Sequence, residues 1–263
     1  MPDDDVVLVD IDGAVATVTL NRPEARNALD RTLRKALPAA LLDLDRREDV
    51  AAVVLTGADP AFCAGLDLKE LASGGNALRE TGATGEVTGR RRGPFPEMTT
   101  PVIGAVNGVA ITGGFEVALA CDLLVASDRA RFADTHARMG IMPGWGLTVL
   151  LPEAVGLRRA RELSATGNFL DADTALAWGL VNHVVPHAEL LPFCQQLARD
   201  IASNDPVAVR RILQTYADGA LRDGAGAWAL EAEVAGSWQG GGLDPAAIEE
   251  RRRAVQARGR TQL

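Results

Sequence analysis

Cysteine, histidine and tyrosine are nearly missing from this chain: its 263 residues hold three cysteines, three histidines and one tyrosine. Cys63, Cys121 and Cys194 show no CxxC spacing and cannot all pair, which excludes a disulfide framework and a zinc site of the finger type. Such thiols fit a reducing compartment, and a cytoplasmic location is expected. An excess of positive charge is missing too. The formal net charge of −8 argues against nucleic acid or an anionic membrane as the main partner. No apolar run reaches the roughly 18 residues of a membrane span. The N-terminus, MPDDDVVLVD, has no basic stretch followed by an apolar one, so an unexported protein is expected. The sequence lacks a Walker A loop, a G-x-S-x-G elbow and an HExxH pair, and GWGLTV (144–149) lacks the third glycine of a dinucleotide fingerprint. No metal or nucleotide cofactor is therefore expected. The basic residues are almost all arginine, as coding bias in a GC-rich bacterial genome produces.

What is present is a large apolar inventory. At 47% hydrophobic, the chain can bury one sizeable core, with or without a helical appendage. VVLVDIDGAVATVTL (6–20) reads as a β-hairpin hinged on Asp12-Gly13. Residues 30–47 place Leu33, Leu37, Leu41 and Leu44 at helical spacing, and Pro38 is expected to kink or interrupt that helix. Apolar runs at 51–57, 101–106, 122–127 and 179–185 alternate with helical segments, which predicts an α/β architecture. The stretch 73–93, rich in Gly, Thr and charge, reads as a surface loop suited to a lid. Strand signals stop near residue 186, and four helical segments follow. The division expected is a core over 1–186 and a helical subdomain over 187–263.

One charge stands out. In GGFEVALACD (113–122), Glu116 sits in an apolar run that has no polar face and opens with two glycines. An acid in a first helical turn ordinarily does no more than complement the helix dipole. A Glu in a helix buried all round must instead be paired, protonated or employed. Glycines at the helix entrance would let backbone N–H groups approach a ligand closely.

Four stretches then form an ordered set: NRPEARNAL (21–29), AFCAGLDLKE (61–70), GVAITGGFEVALACD (108–122) and GLVNHVVP (179–186). Together they resemble the crotonase superfamily of enoyl-CoA hydratases and isomerases, over roughly residues 6–260. The resemblance implies a spiral of ββα units with a C-terminal helical region that usually trimerises, giving a homotrimer or a dimer of trimers. It implies an acyl-CoA thioester as substrate, CoA entering only as part of that substrate. Carried onto this sequence, the backbone N–H groups of Leu66 and Gly113 would form the oxyanion hole. The segment Ala64, Asp67, Leu68 and Lys69 would run beside the CoA, with Arg26 and Lys69 near its phosphates. Solvated surface positions are the plainer reading for both cations.

Glu116 aligns with the first of the two catalytic glutamates of the hydratases. The second would fall at position 136, where this chain has His136. An imidazole can serve as the acid there, with Asp134 a second candidate; the other reading is that His136 only bonds locally and hydration is crippled. His183 and His187 read as structural. Trp145 stands where the family usually has a small residue in a glycine-rich turn, so it would line the acyl site or simply pack in the core. The leading expectation is hydration of a 2-enoyl-CoA to a 3-hydroxyacyl-CoA. A thioester hydrolase, an isomerase and a non-catalytic acyl-CoA-binding protein are the alternatives.

Overall fold

The structure, a computed structural model, describes residues 6–67, 70, 93–222 and 224–237. Leu68, Lys69, almost all of the stretch 73–93 and the helix expected over 244–259 lie outside the described residues. The chain divides into two compact units, Met1–Pro206 and Val207–Leu263.

The first unit opens with β1 (Val7–Asp12) and β2 (Val15–Leu20), an antiparallel hairpin in which Asp12 faces Val15. The two-residue turn is thus Gly13-Ala14, one position beyond the Asp12-Gly13 hinge that the dipeptide signal suggests. A short 3-10 turn (Pro23–Ala25) leads to α1 (Arg31–Asp45), whose first turn is capped by the Asp30 carboxylate accepting from the Leu33 N–H. The helix runs on through Pro38, because Leu33, Leu37, Leu41 and Leu44 all bury on one side and hold it to the sheet.

β3 (Ala52–Gly57), β5 (Val102–Val106), β7 (Leu123–Ser127) and β10 (His183–Val185) then extend the hairpin into a six-stranded sheet of order β1-β2-β3-β5-β7-β10, parallel from β2 onward. Every residue of β3 and β5 is buried, as strands covered on both faces must be. Alternate side chains of β3 serve the two faces. Val53 and Leu55 join the α1 leucines, while Ala52 and Val54 join Leu190, Cys194 and Ala198. Those last three belong to α7 (Leu190–Ala202), which follows α6 (Ala172–Trp178) and a 3-10 turn (His187–Glu189). The unit boundary therefore lies some twenty residues beyond residue 186, because α7 supplies the lid of a sheet face that would otherwise be wet.

A second sheet of four strands has the order β4-β6-β8-β9: β4 (Ala61–Cys63), β6 (Val109–Ile111), β8 (Arg131–Ala133) and β9 (Leu170–Asp171), parallel except for β9. Each consecutive pair, β3 with β4, β5 with β6 and β7 with β8, sends its first strand to the large sheet and its second to the small one. This repetition is the ββα spiral. The helices α2 (Gly113–Leu119), α3 (His136–Met139), α4 (Leu147–Val155) and α5 (Leu157–Thr166) follow the small-sheet strands.

The second unit contains α8 (Pro206–Ala220, its first residue closing unit one) and α9 (Gly224–Ser237). Among the described residues no helix is long and apolar enough to cross a membrane.

Candidate active site

The three parallel strands of the small sheet end side by side, and each delivers part of one pocket from its C-terminal end. Such ends are where open α/β sheets collect ligands, since the chain leaves the sheet there and backbone groups are released from the ladder. β4 is followed by Gly65 and Leu66, β6 by Thr112, Gly113 and Glu116, and β8 by Asp134 and His136. The pocket they form encloses roughly 280 Å³, counting the solvent at its mouth, and is lined by Leu66, Gly113, Glu116 and His136 with Ile141, Met142, Gly144 and Trp145.

Close backbone packing brings the amides of Leu66 and Gly113 together. Gly65 has φ +91°, and a Cβ there would lie 2.7 Å from the Ile111 carbonyl and 3.5 Å from the Gly113 nitrogen. A Cβ on Gly113 would lie 3.7 Å from the Leu66 nitrogen. Leu66 pairs with Leu29 in an isolated parallel bridge, in which Leu29 bonds through the Gly65 carbonyl and the Asp67 amide. That pattern leaves the Leu66 N–H outside the bridge. Gly113 is the first residue of α2, and a first-turn N–H has no partner within its own helix. Just before it, Thr112 holds φ 54°, an unusual conformation for a β-branched residue. The Thr112 N–H to the Ala133 carbonyl, at 2.9 Å, and a hydroxyl contact with Thr135 fix that bend.

Glu116 is 2% exposed and fully engaged. Its Oε1 accepts the Trp145 N–H at 2.7 Å and the Leu147 N–H, more weakly, at 3.5 Å. Its Oε2 lies 3.6 Å from His136 Nε2. The other imidazole nitrogen, Nδ1, is 2.6 Å from Asp134 Oδ1. The same Asp134 oxygen also accepts the His136 N–H at 3.1 Å. Burial alone pulls an imidazole pKa down; here the hydrogen bond that Nδ1–H donates to Asp134 and the approach of Glu116 outweigh it, and His136 is pushed up to about 9. For Asp134 burial raises the pKa, but its bonds to His136 and the Ser164 hydroxyl win and hold it below the usual carboxylate value. Both partners move as members of an ion pair do. The pairing thus favours the charged forms of both Asp134 and His136.

The indole of Trp145 forms the wall opposite. Its Cζ3 would be 3.3 Å from a Cβ on Gly113, so the ring stands directly over the Gly113 entrance while packing on the core. One residue therefore closes the pocket with its side chain and holds Glu116 with its backbone.

Of the positions expected near CoA, Arg26 is exposed, and its carbonyl accepts the Ala64 N–H at 3.0 Å, which sets the two segments side by side. The Asp67 carboxylate is taken up by Arg22, at 3.2 Å. Leu68 and Lys69 lie outside the described residues. His183 stacks edge-on with Phe193, and His187 pairs with Asp59 at 3.0 Å, so neither enters the pocket. Among the described residues no group of three or more His, Cys, Asp or Glu side chains is arranged to hold a metal ion.

Three contributions escape a linear reading. Arg22 bridges Asp67 and Asp30, the latter at 3.3 Å, and donates to the Ala28 carbonyl. Asn27, wholly buried, donates to the carbonyls of Ala58 at 2.8 Å and Ala61 at 2.7 Å, pinning the entry to β4. Asp134 partners His136 instead of facing the pocket. The only available signal was the spacing Asp-x-His, which is too common to decide anything.

Comparison with known proteins agrees with this geometry. The family model for enoyl-CoA hydratase/isomerase matches residues 10–240. A probable peroxisomal enoyl-CoA hydratase of Arabidopsis thaliana is 41% identical over 87% of this chain and 84% of its own. A short-chain-enoyl-CoA hydratase of Clostridium acetobutylicum is 39% identical over 88% of each chain. Among solved structures, an enoyl-CoA hydratase from Mycobacterium tuberculosis is 48% identical, covers 87% of this chain and 96% of its own, and superposes with a TM-score of 0.73. With the two amides, the buried glutamate and the interleaved sheets all in the order the motifs require, the chain belongs to the enoyl-CoA hydratase/isomerase family.

Proposed function

We propose that this protein hydrates a 2-enoyl-CoA to the 3-hydroxyacyl-CoA, with Glu116 as base and His136 as the acid in place of a second glutamate. The observation that carries the reading is the placement of the Glu116 carboxyl group 3.6 Å from the His136 imidazole in a pocket whose rim holds the Leu66 and Gly113 amides. Those amides receive the thioester oxygen, where negative charge develops as the enolate forms; each such donor typically contributes roughly a hundredfold or more in rate. Glu116 withdraws a proton from water and the hydroxyl adds to the β-carbon. His136 Nε2 delivers its proton to the α-carbon. The proton now on Glu116 passes back to Nε2, so both groups are restored and only water has been consumed. No cofactor takes part. The segment 64–67 runs beside the CoA, with Arg26 near its phosphates.

The experiment is incubation with crotonyl-CoA and longer enoyl-CoAs, following loss of the conjugated thioester absorbance and free thiol separately. Loss of absorbance without thiol release is expected. Thiol release without hydration would make the protein a hydrolase, and neither would make it a binding protein.

A histidine acid gives the rate a defined alkaline limb. The folded-state pKa of His136 is raised, so its proton is present at neutral pH and lost as pH rises through about 9. Turnover is expected to hold from neutral pH up to that point and to fall about tenfold per unit above it, by simple titration of one proton. His136→Gln should lower kcat by roughly 10²–10⁴ while changing KM little, the mark of an interaction made chiefly in the transition state. His136→Glu should retain hydration and lose the limb near 9. A kcat indifferent to His136→Gln would remove it from the mechanism.

The indole over Gly113 stands where an acyl chain would extend, which favours a short or planar acyl group. Trp145→Ala should raise kcat/KM for longer enoyl-CoAs by about tenfold or more, the scale at which a pocket senses one or two methylenes. An unchanged chain-length profile in a folded variant would return Trp145 to a packing role.

The protein assembles as a homotrimer or a dimer of trimers, in the cytoplasm. Ile212 and Tyr216, one turn apart on α8, and Trp228 on α9 are 54%, 72% and 74% exposed, an apolar display that association would bury. A monomer by light scattering at micromolar concentration would contradict this.

A further inference from the structure

Asp134 is 1% exposed and does not line the pocket, whereas both Glu116 and His136 do. A carboxylate buried this deeply is costly unless its oxygens are satisfied, and here they are engaged by the His136 ring, the His136 N–H and the Ser164 hydroxyl. It cannot reach a substrate. It does decide which imidazole nitrogen can. With Nδ1 bonded to Asp134 at 2.6 Å, Nε2 is the nitrogen turned to Glu116 and to the pocket.

Charge supplies the second argument. A pair of glutamates sharing one proton carries a net charge of −1, with one proton to give. Exchanging one glutamic acid for an imidazolium would leave the site neutral, and a neutral site holds the enolate and the base differently. Adding a buried carboxylate behind the imidazolium returns the sum to −1, again with one proton to give.

Building on the hydratase reading above, we propose that Asp134 is a positioning residue for that reaction: it fixes His136 so that Nε2 carries the transferable proton toward Glu116, and the Asp134–His136 pair together replaces one protonated glutamic acid. Asp134 is thereby not itself the acid. Among the described residues the charged and titratable groups facing His136 are few. Glu116 comes from α2 and Asp134 from the turn before α3, and Ser164 of α5 bonds Asp134. Arg138, on the same short helix, is turned to the Thr166 carbonyl and Asn168. Arg161 and Glu162 of α5 are exposed. Among the described residues, the other side chains lining the pocket beside His136, such as Ile141, Met142 and Trp145, carry no charge.

The test is nitrogen NMR of the whole protein labelled at histidine, with the His136 signals assigned by their loss in His136→Gln. In the wild type, His136 should titrate near 9 and its neutral form should keep the proton on Nδ1. Asp134→Asn should lower that midpoint by about one pH unit or more, the usual effect of losing an adjacent opposite charge. The alkaline limb of kcat should move with it, and kcat should fall more than KM rises. Asp134→Glu, which keeps the charge, should stay closer to the wild-type midpoint than Asp134→Asn does. The proposal is overturned if Asp134→Asn leaves midpoint and limb where they were. It is equally overturned if wild-type His136 titrates as an ordinary imidazole or carries its neutral-form proton on Nε2, and these wild-type measurements decide the matter even if Asp134→Asn does not fold. Should the NMR behave as expected while no enoyl-CoA is hydrated, the pairing stands and the hydratase reading falls.

Discussion

Glu116→Gln is expected to reduce hydration of an enoyl-CoA by about 10³ or more while leaving affinity for a saturated acyl-CoA nearly unchanged, since loss of a positioned general base costs roughly 10²–10⁴. Glutamine is the right substitution because the two oxygens of Glu116 do different work. Oε1 accepts backbone N–H groups from Trp145 and Leu147, and a glutamine carbonyl can accept them as well. The fold around α4 should therefore survive. Oε2, facing His136, becomes an amide that can neither take a proton from water nor pair with an imidazolium. The His136 titration should fall in the same variant, because one of the groups raising it is gone. Retention of more than a tenth of wild-type kcat would remove Glu116 as base. Loss of acyl-CoA binding along with turnover would instead mean that the carboxylate holds the pocket together.

Gly114→Ala should be among the most disruptive single-methyl changes in the described residues. A Cβ at this position would lie 2.1 Å from the Cys63 carbonyl oxygen, 2.7 Å from its carbon and 2.8 Å from the Cys63 Cβ. The obstacle is strand backbone, so no side chain can swing aside. Either α2 moves off β4 or β4 leaves its place in the small sheet. Overpacking of a well-filled core usually costs about 1–3 kcal/mol, and a clash with backbone belongs at the upper end or beyond. Against a total stability of roughly 5–15 kcal/mol this is a large share. Activity should suffer separately, because a shift of α2 carries the Gly113 N–H away from the Leu66 N–H and misplaces Glu116. At least a hundredfold loss of kcat per folded molecule is expected, by the usual sensitivity to an oxyanion donor. Urea unfolding with turnover measured on the folded fraction separates the two effects. A variant with the wild-type midpoint and rate would show that α2 and β4 are less tightly opposed than the geometry requires.

The two predictions differ in how far the sequence alone led to them. Glu116 was legible because burial is written into local pattern: an acid in an apolar helix without a polar face is an exception that needs a reason. The same local logic marked the hairpin, the leucines of α1 and the fully buried strands β3 and β5, since each periodicity reports which faces of one element avoid water. The ordered motifs fixed the family for the same reason, each being short and local. The repetition of the ββα unit left no visible trace in the sequence, however. Equivalent positions in successive units share only their burial, and many apolar residues satisfy it.

Tertiary structure decided whatever depends on two groups distant in the chain. Helix α7 reads from its own sequence as one more tail helix, and only the open face of the large sheet assigns it to the first unit. Asp134 reads as a rival to His136, and only the turn after β8 sets it behind the ring instead of beside the substrate. Trp145 lies 29 positions from Glu116, yet its amide bonds that carboxylate and its indole stands over Gly113. Arg22 reaches 45 positions to Asp67. Hydrophobic pattern is a property of single residues against solvent and survives in a linear string. Pairing of polar groups is a property of two residues, and their distance is set by the crossovers between the sheets, which no stretch of sequence contains.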